Sequence, residues 1–364
     1  TWPDINEDMT VPDYIVRGNI VIEDDVMLTV MPGVVVQFES AGDGITVANG
    51  ALRAVGRGDK PIIFKGLREN KGSWLGLQFF SNDARNELAY CKVMHAGSTN
   101  GSQTAINVKG NLGIYPAQLK ISNTEVSQSG GYGIIIDKVS HFGSFRTNSF
   151  HECDRAGARI TNPQIGSLDA SSNFFGNVLN YVEILGEGVV NYNVTLPRLA
   201  VPYLVENGDI RIMNGSLQVA PGAEIRFKPS TSIIVDETGV GSLVAIGTAA
   251  QPIVFKGTQN IRAAWKGVAI FNASTANVLR YCTVDGGGQL PQGVLSAGRA
   301  NIVVGNSALN YPYANIENCI IKNSAGYGIY HGGNPSINVN PGQINGTAAT
   351  ANQFINNAAA NIGN

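Results

Sequence analysis

Acid–base catalysis requires acids, bases or metal ligands gathered on one face, most simply two close carboxylates. This chain offers few such sets. Asp24-Asp25 is an adjacent pair, but strand geometry would send its members to opposite faces, so it reads as a corner. His95, His141, His151 and His331 are the only histidines, and none recurs in the internal repeat described below, which reads them as isolated side chains. Among the aromatic residues that recur are Trp74 and Trp265, each in W-x-G, and Tyr132 and Tyr327, each in G-Y-G. Exposed, such rings could stack on a sugar; buried, they would cover a strand start or fill a corner. These four are the candidate ligand-binding residues, and no catalytic, cofactor or metal residue is assigned. A Ca²⁺ site stays open but has no motif behind it. Cys91, Cys153, Cys282 and Cys319 form no C-x-x-C pair, which argues against a zinc or thioredoxin-type centre. They read as buried thiols, with disulfides open if the protein is exported. Arg57-Gly58-Asp59 reads as a loop coincidence, and the Asn-x-Ser/Thr sequons include Asn193 and Asn345.

The bulk composition narrows the partners. Lys and Arg number 25 against 27 Asp and Glu, a formal net charge of −2. That leaves no basic field for a nucleic-acid backbone. No apolar run is long enough to cross a bilayer. Charged residues make up 14 % of the 364, while Gly contributes 44. Asn is roughly one residue in ten, well above a typical share. Gly and Asn tolerate left-handed backbone, so this is a chain that turns often.

The elements that must carry these residues are written twice. LTVMPGVVVQF at 28–38 returns as LQVAPGAEIRF at 217–227, and ALRAVGRGDKPIIFKG at 51–66 as SLVAIGTAAQPIVFKG at 242–257. NELAYCKVMHAGS at 86–98 returns as NVLRYCTVDGGGQ at 277–289, and ISNTEVSQSGGYGIII at 121–136 as IENCIIKNSAGYGIYH at 316–331. NSFHECDRAGARI at 148–160 returns as NQFINNAAANIGN at 352–364. The order never changes, and the offset only grows, from 189 residues between Pro32 and Pro221 to 204 between Phe150 and Phe354. This is a tandem duplication with loop insertions in the second copy.

Within the first pair, Leu28, Val30, Val34, Val36 and Phe38 match Leu217, Val219, Ala223, Ile225 and Phe227, all apolar at alternate positions. Between them, Thr29, Met31, Val35 and Gln37 give way to Gln218, Ala220, Glu224 and Arg226. A strand alternates faces with period two, so one face is held as core and the other drifts as surface. Pro32-Gly33 and Pro221-Gly222 mark corners. Short strands are expected at Ile45–Val47, Ile62–Phe64, Leu75–Phe79, Ala105–Val108, Ile134–Ile136, Ile233–Val235, Val268–Phe271, Ile302–Val304 and Ile316–Ile321, with Pro61 and Pro252 opening theirs. No stretch of period 3.6 predicts a long helix. Asn123 and Asn318 match across the copies and suit stacked corners.

On these residues — L-T-V-x-P-G-x-x-V-x-F, P-I-I-F-K-G, W-x-G and L-x-Y-C-x-V — the chain resembles the right-handed parallel β-helix repeat proteins of bacterial surfaces, similar in fold to the pectin-lyase-like superfamily. The resemblance implies an all-β solenoid. Residues 1–10 would cap it, 11–200 would form the first copy, and 201–364 the second, continuous with the first. It also implies export to the cell exterior or outer surface, with any lipid anchor carried by a segment outside this chain. The family holds both enzymes and non-enzymes. The N-T-D, G-H-G and R-I-K signatures of its hydrolases are absent. The leading expectation is therefore a non-enzymatic surface protein that adheres or binds glycans, with a glycan or another surface protein as partner. The alternative is a polysaccharide lyase or glycoside hydrolase acting on an acidic, plant or host glycan, which would need charged side chains converging in one outward groove.

Overall fold

The computed structural model describes residues 1–111, 115–291, 298–305, 311–332, 336–338 and 352–363. The sequon at Asn345 lies outside them. The chain is a parallel β-helix: apart from Ala156–Thr161 and Leu179–Gly186, strands pair in parallel with the strand three places on, so successive strands lie on different faces and each face is built once per coil. Two compact units are present. One comprises residues 1–160 with 167–182 and 199–201, and the other residues 161–166, 183–198 and 202–364.

In the first unit, one sheet runs Tyr14–Val16, Val35–Phe38, Ile62–Gly66, Cys91–Met94, Glu125–Ser127, Ser149–His151. A second face carries Asn19–Ile22, Gly44–Val47, Gly76–Phe79, Thr104–Val108, Tyr132–Ile136 and Ala156–Thr161. The third carries Met27–Val30, Ala51–Val55, Glu87–Ala89, Gln118–Ser122 and His141–Arg146. The register stacks like on like. Val36, Phe64, Val93, Val126 and Phe150 form one inward row, each fully buried. Ile45, Leu77, Ile106, Ile134 and Ala158 form another. Burying such a side chain contributes about 1.5–3 kcal/mol, and every rung repeats the gain.

The second unit repeats the scheme. Tyr203, Ile225, Phe255, Val284, Ile321 and Phe354 make one inward row. Ile210, Ile233, Val268, Ile302, Ile329 and Ile362 make a second. Both Pro-Gly corners are turns, with φ of 95° at Gly33 and 76° at Gly222, a backbone that favours glycine. Asp24-Asp25 is also a turn, with Asp25 at φ 61°.

Three local expectations need correction. Val35, expected on the surface, is fully buried: the Asp13 carboxylate accepts from Val35 N at 2.8 Å and from Ile5 N and Asn6 N at 2.7 Å, which ties the N-terminal residues onto that face. Leu28, expected in the core, is only half-buried, since it lies in the first coil and has fewer neighbouring rungs. The run Ile316–Ile321 is two strands, Tyr313–Glu317 and Ile320–Lys322, split by a left-handed corner at Asn318 with φ 54°.

Candidate functional site

The corners that lead into one sheet of each unit are left-handed. In the first unit, Tyr90, Asn123 and Thr147 take φ of 49°, 49° and 54°; in the second, Tyr281 and Asn318 take 50° and 54°. Asn accepts this conformation readily, Tyr and Thr far less so. The corner is therefore held by its surroundings. Buried carboxamides do much of that. Asn148 Oδ1 accepts from Thr124 N at 3.1 Å, and its counterpart Asn352 accepts from Cys319 N at 2.9 Å. Asn86 and Asn277 serve Leu52 N and Leu243 N in the same way, each at 3.0 Å. A buried amide left without a partner would cost about 1–3 kcal/mol.

Outside this left-handed column in the first unit lies a groove of about 460 Å³, lined by Tyr90, Asn123, Thr124, Glu125, Thr147, Ser149 and His151. Register places its charged walls. Lys92, Glu125 and Ser149 form one outward row, and Ser127 and His151 the adjacent one. Lys92 Nζ lies 3.6 Å from Glu125 Oε2, and His151 Nε2 lies 3.3 Å from Glu125 Oε1. The other ring nitrogen, Nδ1, lies 3.4 Å from Glu152 Oε1. Tyr90 is 40 % exposed at the rim. The groove thus combines an aromatic ring with amide, hydroxyl and carboxylate groups, and its size suits a small ligand. Its acid and base groups are engaged with one another: both His151 nitrogens face carboxylates, and Glu125 is shared between Lys92 and His151. In the second unit, Ile320 stands where Glu125 does and Ile355 where His151 does, so the charged set belongs to the first unit alone.

The four candidate aromatics are placed otherwise. Trp74 and Trp265 are wholly buried. Trp74 stacks on Phe38 at 3.9 Å between centroids, and Trp265 on Phe227 at 4.1 Å. Each indole N–H is satisfied internally, Trp74 Nε1 by Met94 O at 2.7 Å and Trp265 Nε1 by Asp285 O at 2.8 Å. These rings are core, and neither presents a face to a sugar. Tyr132 is 3 % exposed; the Arg159 guanidinium lies 4.2 Å and the Arg155 guanidinium 5.4 Å from its ring centroid. Both arginines also donate to its hydroxyl, Arg155 Nη1 at 3.3 Å. Tyr132 is therefore a covered cation–π partner rather than an open platform. Tyr327, whose copy has Ala359 and Gly363 in place of those arginines, is half-buried against Tyr330.

Of the remaining histidines, His95 occupies a left-handed corner at φ 65° and is buried, which lowers its imidazole below the usual range. His141 is exposed, with Nε2 2.9 Å from Gln118 Oε1. Arg57-Gly58-Asp59 lies in a tight turn closed by Arg57 N to Lys60 O and Lys60 N to Arg57 O. All four cysteines are buried free thiols; burial pushes Cys153 up to about 11 and Cys91 further still. Among the described residues, no three His, Cys, Asp or Glu side chains gather to hold a metal ion, and no helix is long and apolar enough to cross a membrane.

The Tyr90–Glu125–His151 groove escapes a linear reading because its parts are contributed by three coils. The usable signal was parity: once Val93, Val126 and Phe150 are set inward, Lys92, Glu125 and Ser149 must point out together. No protein-family model, curated protein or solved structure matches this chain.

Proposed function

We propose that this chain is a non-enzymatic glycan-binding module of an exported bacterial surface protein, and that the groove at Tyr90, Asn123, Glu125, Thr147, Ser149 and His151 receives the sugar. The observation that carries the reading is the pairing of an exposed tyrosine with hydroxyl, amide and carboxylate groups in one open groove. A sugar offers an apolar ring face and a rim of hydroxyls, which such a surface complements. Binding is favoured over cleavage because the groove's ionisable groups satisfy each other, leaving no acid and base poised across a free space. The adjacency of Glu125 and His151 is what keeps the lyase or hydrolase reading in view.

A glycan array with the wild type and Tyr90→Ala tests the proposal. Selective binding by the wild type, weakened tenfold or more in the variant, is the expected result. A flat array, or binding indifferent to Tyr90, would leave the groove without this role. A depolymerisation screen over plant, host and bacterial polysaccharides belongs beside it: product sugars that disappear with Glu125→Gln would replace binding by catalysis.

A further inference from the structure

Cys282 and Cys319 occupy the same place in consecutive coils of the second unit. The register pairs Thr283 with Ile320, which sets the two cysteines side by side, one rung apart. Both are 1 % exposed. Their side chains follow the same path. Cys282 Sγ lies 3.3 Å from Ala245 O, and Cys319 Sγ lies 3.4 Å from Leu279 O. Ala245 and Leu279 are themselves register partners, so the sulfurs are stacked along the solenoid. The neighbourhood is felt electrostatically as well: burial, and then the Cys319 thiol, push the Cys282 thiol upward. A rung step of about 4.8 Å falls inside the Cα separations that a disulfide spans, about 4.4–6.8 Å.

The first unit supplies the comparison. Cys91 has the environment of Cys282, with Sγ 3.4 Å from Ala54 O. Its stacked neighbour is Thr124, whose Oγ1 lies 3.4 Å from Leu88 O, the contact that Cys319 Sγ makes with Leu279 O. Thr124 Oγ1 also accepts from Cys91 N at 3.4 Å. A γ atom at this position therefore reaches the cysteine of the rung before it, and only in the second unit is that atom a sulfur.

We propose that Cys282 and Cys319 are a disulfide site that staples two consecutive coils when the chain folds in the presence of a disulfide oxidant such as oxidised glutathione. One cysteine thiolate attacks the glutathione disulfide, forming a mixed disulfide and expelling one glutathione thiolate. The second cysteine thiolate attacks the protein sulfur of that mixed disulfide and expels the other. Two protein thiols are oxidised, one glutathione disulfide is reduced to two glutathiones, and the two protons pass to the leaving thiolates. Burial shuts the finished rungs to solvent, so the exchange belongs to folding, and the bond once made is shielded from reductants.

The test uses the full chain, refolded from the reduced denatured state in a glutathione redox buffer, then denatured and alkylated. Before alkylation, the mass should lie about 2 Da below that of the reduced protein, because two hydrogens are lost; after alkylation, only two of the four cysteines should carry the label. Trypsin should yield one linked pair, residues 281–299 with 300–322, while Cys91 and Cys153 are alkylated. Cys319→Thr, which restores the residue found at Thr124, should fold and show neither the mass loss nor a linked peptide. The same map on protein exported to an oxidising compartment reads the outcome without refolding. Four alkylated cysteines in folded protein from both routes, or a link formed through Cys91 or Cys153 instead, would overturn the proposal.

Discussion

Replacing Trp74 separates packing from ligand contact. The ring is fully buried, stacked on Phe38 at 3.9 Å, and its Nε1 donates to Met94 O at 2.7 Å. Trp74→Ala removes a large buried side chain, a change worth about 3–5 kcal/mol in a core that relaxes only partly. Trp74→Phe keeps an aromatic ring but loses the bond to Met94 O, a change of about 0.5–1.5 kcal/mol. With a denaturant slope of about 2–3 kcal/mol per M, the urea midpoint should fall by about 1–2 M for Trp74→Ala, and by about half that or less for Trp74→Phe. Trp265 provides an internal repeat, since it makes the same stack on Phe227 and the same bond to Asp285 O. Urea titrations followed by far-ultraviolet circular dichroism read both sites without relying on the fluorescence of the ring removed. A midpoint unchanged in Trp74→Ala, together with lost glycan binding, would refute the reasoning, because it would mean that the indole acts at the surface.

Three further substitutions follow from the same architecture. Val36→Asp places an unpaired charge in a fully buried row between Tyr14 and Phe64, and should abolish soluble folded protein, whereas Gln37→Asp on the adjacent outward position should move the thermal midpoint by only a degree or two. Equal effects in a melting assay would invert the face assignment. Asp236 is raised by burial, but its bonds from Arg211 and from Thr238 N and Oγ1 outweigh that, so its carboxyl is lowered overall. A lowered carboxyl stabilises the fold above its unfolded pKa of about 3.9 and loses that contribution as pH falls through the folded value. Asp236→Asn should therefore narrow the stability gap between pH 7 and pH 3 in urea titrations, and an unchanged gap would count against the pairing.

Much of the architecture was legible in the linear chain because its cause is local. Alternation with period two assigns Val36 and Phe38, or Ile225 and Phe227, to a face without reference to distant residues, and Pro-Gly marks a corner by its own backbone preferences. Where a residue's fate depended on another part of the chain, the reading failed. Val35 is buried because Asp13 returns over it, and the Ile316–Ile321 run breaks because Asn318 turns left-handed under the grip of Asn352 on Cys319 N. The paired asparagines Asn86 and Asn277, kept in both copies, carried a structural message that spacing alone did not disclose.

The amino-acid sequence by itself determined that this chain coils as short parallel strands around a core of stacked apolar side chains, since periodicity and turn chemistry act over a few residues. Tertiary structure alone decided which side chains meet across rungs. The coil length, set by every turn between one strand and its parallel neighbour, brings Glu125 to His151 across 26 residues and Cys282 beside Cys319 across 37. The same stacking decides between the two readings of Trp74 and Trp265 and puts both in the core. Inserted turn residues do not undo such pairings, since Cys91 stacks on Thr124 across 33 residues and Cys282 on Cys319 across 37, so contacts of this kind are a property of the closed coil and not of its local segments.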